Sequence, residues 1–431
     1  MSGSGPRSPG QHTPDIITDR NAKQGDLMAD GLSEPQMFPM ARAARCPFDP
    51  APELRRLIEE APVSRVRLWD GSTPWAVTRY EDARAVLADP RVSVDVAEPG
   101  FPHTNAVSKA RDAQMKTLMQ MDAPEHIVQR RLMTADFRIR KMEALRPRIQ
   151  RIIDDLIDEM LAGPNPADLV EAIALPVPTL VICELLGVPY ADRAFFQRVA
   201  GALVMDEGDP AQAMAAGEEL NVYLDALVEA KNAEPGDDIL SRLAVEQYRS
   251  GAMTRREIST MGQLLLVAGH DTTANMIALG TAALLAHPAQ LAAVRDGDPE
   301  LVAGAVEELL RYLSITHTEA RRVAREDLEI GGRLIRKGEG IIVVKSIANR
   351  DPSAFAAPDA LDVHRRARHH IAFGYGAHQC LGQPLARVEL QVVYGTLYRR
   401  IPTLALAVPL ERLTFKHHAV FYGVRELPVT W

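Results

Sequence analysis

Cysteine is scarce in this sequence: Cys46, Cys183 and Cys380 are the three in 431 residues, far apart and never in a C-x-x-C arrangement. An odd, scattered set excludes a disulfide framework and a zinc ribbon, and leaves a reducing, cytoplasmic setting as the expectation. An excess of positive charge is also missing. Lys plus Arg number 49 against 57 Asp plus Glu, a formal net charge of -8, so no global attraction draws the chain to nucleic acid or anionic lipid. Long apolar runs are absent too. The most apolar stretch, residues 174–188, is interrupted by Pro176 and Pro178 and falls short of the roughly 20 residues of a membrane span. The N-terminus, "MSGSGPRSPGQHTPD", has no apolar segment of the kind a secretory signal needs. Regular alternation of strand and helix patterns is lacking as well, which argues against a dinucleotide-binding or barrel enzyme.

What is present is mostly helix. Residues 1–40 are rich in Gly, Ser and Pro without a period and read as a disordered tail; residues 41–431 read as one domain. "VSRVRLWDGSTPWAVTRY" reads as two strands joined at Asp70-Gly71. Helical spacing of apolar residues then recurs in "YEDARAVLAD", "EHIVQRRLMTADF", "RKMEALRPRIQRIIDDLIDEMLAG" and "AQAMAAGEELNVYLDALVEAKN". The longest candidate runs from Thr254 to His287, opens with a Thr254/Glu257 capping box and is apolar on nearly every face, so it should cross the core. Short strands follow over residues 321–351, punctuated by Gly331-Gly332 and by Lys337-Gly338.

The segment "FGYGAHQCLGQPLAR" sets Cys380 just ahead of a helical pattern. There, free N–H groups and the helix dipole lower a thiol's pKa. Gly374 and Gly376 allow a loop to lie flat against something bulky. A thiolate in such a place suits an axial ligand of haem iron. On these residues alone, a buried inert cysteine and a nucleophile served by His378 or His370 remain open.

Phe373, Gly374, Gly376, His378, Cys380 and Gly382 resemble the haem-binding loop of the cytochrome P450 family, F-G-x-G-x-[HR]-x-C-x-G. Three further stretches carry the same resemblance. "AGHDTTAN" lies inside the long helix, where a glycine, an acid and a hydroxyl are costly. The Thr272 hydroxyl can bond back to the Ala268 carbonyl and open the helix beside Gly269. The resemblance implies that this segment covers the distal face of the haem, with Asp271 and Thr272 delivering protons. "EELLR" and "FAAPDALDVHR" resemble the family's buried E-x-x-R network, here Glu308, Arg311 and Arg365. His126 and Arg130, one helical turn apart in "HIVQR", together with Arg322, His370 and His378, are implied as partners of the haem carboxylates.

The resemblance covers residues 42–431 and implies the triangular, mainly helical cytochrome P450 fold with small β-sheets. It implies a monomeric haem b monooxygenase with Cys380 as iron ligand, inserting one oxygen atom of O2 into a C–H or C=C bond of a small organic substrate, in the manner of actinomycete secondary-metabolite enzymes. No flavin, nicotinamide or iron–sulfur fingerprint is present, so electrons are expected from a ferredoxin or flavodoxin with its reductase. A peroxygenase, a nitric oxide reductase and a haem sensor are the rivals; the first typically lacks the acid and threonine, and the last has no use for them. Substrate contacts are expected from residues 98–114, 195–224, 314–319 and 417–421 and from the long helix before Gly269, with His317, Glu319, His417 and His418 as polar groups. Eight Arg and Lys between residues 130 and 151, against Asp136 and Glu143, form a candidate docking surface for an acidic electron donor.

Overall fold

The computed structural model describes Met1 and residues 34–43, 46–114, 117–204, 210–417 and 419–431. Of the tail expected over residues 1–40, residues 2–33 fall outside the described residues, as does His418. Backbone pairing is already present at Gln36 and Phe38, which exchange hydrogen bonds with Arg67, and Phe38 and Met40 are buried against Leu54, Ile58 and Val66.

A hairpin comes first, β1 (Val63–Arg65) and β2 (Trp75–Val77), followed by α1 (Tyr80–Ala88) and β3 (Val92–Ser93). The helical layer comprises α2 (Glu125–Thr134), α3 (Ile139–Ala144), α4 (Arg146–Ala162), the short strand β4 (Ala167–Asp168), α5 (Pro176–Leu186), α6 (Pro210–Ala233), α7 (Arg255–Leu285) and α8 (Pro299–Leu313). Four strands follow, β5 (Ala320–Ala324), β6 (Leu328–Ile330), β7 (Arg333–Ile335) and β8 (Gly340–Val343). The chain closes with α9 (Gln383–Arg400), β9 (Ala405–Leu406) and β10 (Pro428–Thr430). The expected fold class, mainly helical with small sheets, is what the structure has.

The Thr254/Glu257 capping box forms as the sequence indicates, with Thr254 N–H donating to Glu257 Oε2 at 2.7 Å. Behind it α7 is buried almost all round, including Leu266, Ile277, Leu279 and Leu284; each such side chain contributes about 1.5–3 kcal/mol. It packs against α5, α6 and α9, which makes it the axis of the molecule. The pattern expected as one helix over residues 140–163 is instead two, α3 and α4, parted at Leu145. Pro147 is the cause: it lacks an N–H and its ring clashes with the carbonyl four residues earlier. Among the described residues, no single helix is long and apolar enough to cross a membrane.

The larger sheet has the order β1-β2-β8-β5-β3. All its pairs are antiparallel except β2 with β8, where Trp75 lies opposite Ile341. Because successive side chains on a strand face opposite ways, Arg321 and Arg322 of β5 separate: Arg322 turns inward, while Arg321 pairs with Asp112 at 3.2 Å. This distinction selects Arg322 for the interior.

Candidate functional site

The cysteine loop is fixed by its own backbone. Cys380 N–H donates to Phe373 O at 2.8 Å, and Gly374 and Gly376 take φ values of 75° and 74°, which an L side chain adopts only under strain. A Cβ at Gly376 would stand 2.5 Å from Leu87 O at the end of α1, so this glycine lets the loop abut α1. Gly382 is the N-cap of α9. Cys380 lies deep in the molecule with its side chain uncovered, and the amides of Gly382 and Gln383 point to its sulfur. The expectation of a depressed thiol pKa is not met. Burial raises it, and the Gly382 amide, Lys345, Arg130 and the Gln383 amide offset only part of that.

Four of the five residues expected to meet an anion converge beside this loop. His126 is 2% exposed, its ring centroid is 4.0 Å from that of His378, and its Nε2 has no hydrogen-bond partner among the described residues. Burial, with Arg322 and His126 adding to it, pushes the His378 pKa down to about 3. Arg130 donates to Gln379 O at 2.6 Å. Arg322 is buried, donates only to Arg321 O at 2.8 Å among the described residues, and has its pKa lowered by burial to about 10. The nearby Asp122 is engaged by Val94 N–H at 3.1 Å and by Arg325 at 3.0 Å. Buried donors with so few acceptors fit an anionic group, and the two carboxylates of a haem match that demand.

His370 does not join them. Its Nδ1 accepts from Ala372 N–H at 3.1 Å and its Nε2 faces Glu307 at 3.2 Å. Glu307 also pairs with Arg387 at 2.6 Å, whose guanidinium lies 4.7 Å from the Phe373 ring centroid. Burial works to raise the Glu307 pKa, but His370 and Arg387 outweigh it and hold the carboxyl near about 2. This ionic clamp on the cysteine loop was not visible in the sequence, because its members lie 63 and 80 residues from Glu307. The expected network beside it is present: Glu308 and Arg311, both 0% exposed, pair at 2.7 Å, and Arg365 reaches Glu308 at 3.1 Å. Arg311 also donates to the carbonyls of Asn349, Pro358 and Ala360.

In the middle of α7, Thr272 Oγ1 donates to Ala268 O at 2.9 Å. The bond forms as expected, yet the helix runs unbroken and shows no local opening. Gly269 permits close helix packing, since a Cβ there would lie 3.0 Å from Ile182 of α5. Asp271 is buried, accepts from Asn275 Nδ2 at 2.8 Å and faces Lys416 at 3.7 Å. Asn275 in turn abuts Gly423. Lys416 and Gly423 belong to a C-terminal hairpin joined by Lys416 N–H to Gly423 O at 2.9 Å, so the hairpin is latched onto α7 at the acid. Sequence reasoning missed both Asn275 and Lys416.

Among the residues expected to meet substrate, His317 lies beside Tyr422 with ring centroids 6.4 Å apart, and His417 beside the same ring at 5.7 Å. Glu319 is a correction. It is buried, and its carboxylate accepts from the amides of Lys345 and Ser346 at 2.8 and 3.1 Å, a structural role.

Comparison with known proteins places this geometry. Residues 298–401 match the family model "Cytochrome P450". The chain is 54% identical over 405 residues to cytochrome P450 GfsF of Streptomyces halstedii, covering 93% of this chain and 98% of that one. It is 48% identical over 400 residues to pentalenic acid synthase of Streptomyces avermitilis, covering 93% and 98%. It is 41% identical over 395 residues to mycinamicin VIII C21 methyl hydroxylase of Micromonospora griseorubida, covering 92% and 100%. The crystal structure of GfsF superposes with a TM-score of 0.88 over 92% of this chain and 100% of that chain. The family's cofactor is a haem with a cysteine thiolate as axial ligand, the group that the cysteine loop and the cations beside it accommodate. By sequence, architecture and the fit of its interior, the chain belongs to the cytochrome P450 family and is a haem-thiolate monooxygenase.

Proposed function

We propose that Cys380 supplies the axial thiolate, that His126, Arg130, Arg322 and His378 hold the haem carboxylates, and that Phe373, Gly374 and Gly382 shape the loop around the sulfur. The observation that carries this reading is the convergence of buried, under-accepted donors beside an uncovered cysteine. When bound, the haem supplies the activation of dioxygen with two electrons and two protons, and the transfer of one oxygen atom to a C–H or C=C bond.

The protein's own groups manage the protons. Ala268, Gly269, Asp271 and Thr272 border the reaction space, and Thr272 Oγ1, already oriented by its bond to Ala268 O, passes a proton inward. Asp271 is the source behind it, its carboxylate set by Asn275 and Lys416. Electrons come from a ferredoxin or flavodoxin with its reductase. The substrate is a small secondary metabolite with polar groups near His317 and His417; relatives named for pentalenic acid synthesis and for mycinamicin hydroxylation support that class.

The ferrous carbon monoxide complex should show the red-shifted Soret band of thiolate ligation, and Cys380→Ala should abolish it; persistence of that band in the variant would overturn the ligand assignment. Turnover with ferredoxin and reductase, set against hydrogen peroxide and against a nicotinamide cofactor alone, tests the monooxygenase reading against its rivals.

A further inference from the structure

Lys345 lies two residues past the end of β8 and is 8% exposed. Its ammonium carries three protons, yet among the described residues it donates one hydrogen bond, to Thr316 Oγ1 at 3.3 Å, and has no carboxylate within ion-pair reach. The acid coupled to it, Glu319, is held in a left-handed backbone conformation, φ 57°, and its oxygens accept from the amides of Lys345 and Ser346. Burial lowers the ammonium's pKa; Glu319 opposes the shift, Arg322 adds to it and Cys380 opposes it. The charge of Lys345 is thus felt at the cysteine loop. Pairing of β5 with β8 puts Arg322 opposite Ile341, four residues before Lys345, and the two buried cations lie near enough for the charge of Arg322 to act on Lys345. Each has a single acceptor. A buried ammonium without an anion is costly, and none of the motifs that carry the family resemblance covers this position.

We propose that Lys345 is a further ligand for a carboxylate of the bound haem, beside Arg322. This rests on the haem reading above. The shared chemistry is a carboxylate, which a substrate could also bring past Thr316, and the experiment separates the two sources.

Haem transfer from the holoprotein to excess apomyoglobin is measured for wild type, Lys345→Met and Lys345→Arg. Loss of one charge-assisted hydrogen bond should speed transfer about tenfold in Lys345→Met, and Lys345→Arg should restore the slow rate. If Lys345→Met yields no folded protein, Lys345→Gln takes its place. With haem dimethyl ester in place of haem, wild type and Lys345→Met should release at equal rates, since no carboxylate remains. A rate difference undiminished by the ester, or no difference with haem itself, would overturn the proposal. So would an unchanged transfer rate together with weakened binding of dodecanoate but not dodecanol, the mark of a substrate carboxylate. The carbon monoxide spectrum keeps the two readings apart: a thiolate band in Lys345→Met leaves the haem reading standing whatever the transfer rates show, whereas its absence in wild type would sink that reading first.

Discussion

At the scale of single residues, burial decides ionisation more than local sequence does. Glu389, in the second turn of α9, is 2% exposed and its Oε2 has no partner among the described residues; burial raises its pKa from 4.5 to about 8. The folded protein therefore holds this proton while the unfolded chain releases it above 4.5. Stability is full below that value and is lost as pH rises through about 8, a cost of about 3 kcal/mol by pH 7. Glu389→Gln should raise the melting temperature at pH 7.5 and leave it unchanged at pH 4.5; an equal shift at both would show another cause. Thr272 makes the opposite case. Its bond to Ala268 spans one helical turn, so it was legible from residue spacing, and its removal should matter to chemistry more than to folding. Thr272→Ala should keep its thermal midpoint and lower product per reducing equivalent by about tenfold or more. An unchanged yield would remove the hydroxyl from the proton route.

At the scale of elements, the E-x-x-R network holds α8 to the segment leading into the cysteine loop. Glu308→Ala would leave the fully buried Arg311 charge without its carboxylate, at a cost of about 3–5 kcal/mol. Chemical denaturation and haem content should both fall, and a loss under about 1 kcal/mol, the size of an exposed pair, would show that the network is dispensable. Much of this scale was readable in advance. The capping box of α7, the helix after the cysteine and the E-x-x-R spacing are all set by neighbours within a few positions. The division of α3 from α4 was missed, although Pro147 marks it. What stayed hidden depends on partners distant in the chain: His370 meets Glu307, Lys416 meets Asp271, and the Cys380 thiol is raised by packing that no local pattern records.

At the scale of the whole molecule, charge is distributed unevenly. Of the basic residues between 130 and 151, Lys141 pairs with Asp136 at 3.0 Å, Arg146 with Glu143 at 2.8 Å and Arg148 with Glu184 at 3.2 Å. Arg131, Arg138, Arg140 and Arg151 are exposed and, among the described residues, form no ion pair; Ile127, Val128 and Ile139 are exposed among them. A positive surface with an apolar centre suits an acidic electron donor. Arg138→Glu is a cleaner probe than Lys141→Glu, which also breaks an internal pair. It should slow reduction by ferredoxin about tenfold at low ionic strength and flatten the salt dependence, with substrate affinity unchanged. Equal stopped-flow rates for wild type and variant at low salt would remove this face as the docking site.

The parallel pairing of β2 with β8 bears on how the chain is made. Trp75 must wait for Ile341, and at 5–20 residues per second the ribosome takes roughly 10 to 50 s to deliver it. Throughout that interval the nascent hairpin shows an open edge of Trp75, Ala76 and Val77, apolar residues that are all buried at the end, and open apolar edges invite pairing with other chains. Correct assembly during synthesis thus depends on the helices translated in between, or on a chaperone, covering that edge until its partner arrives.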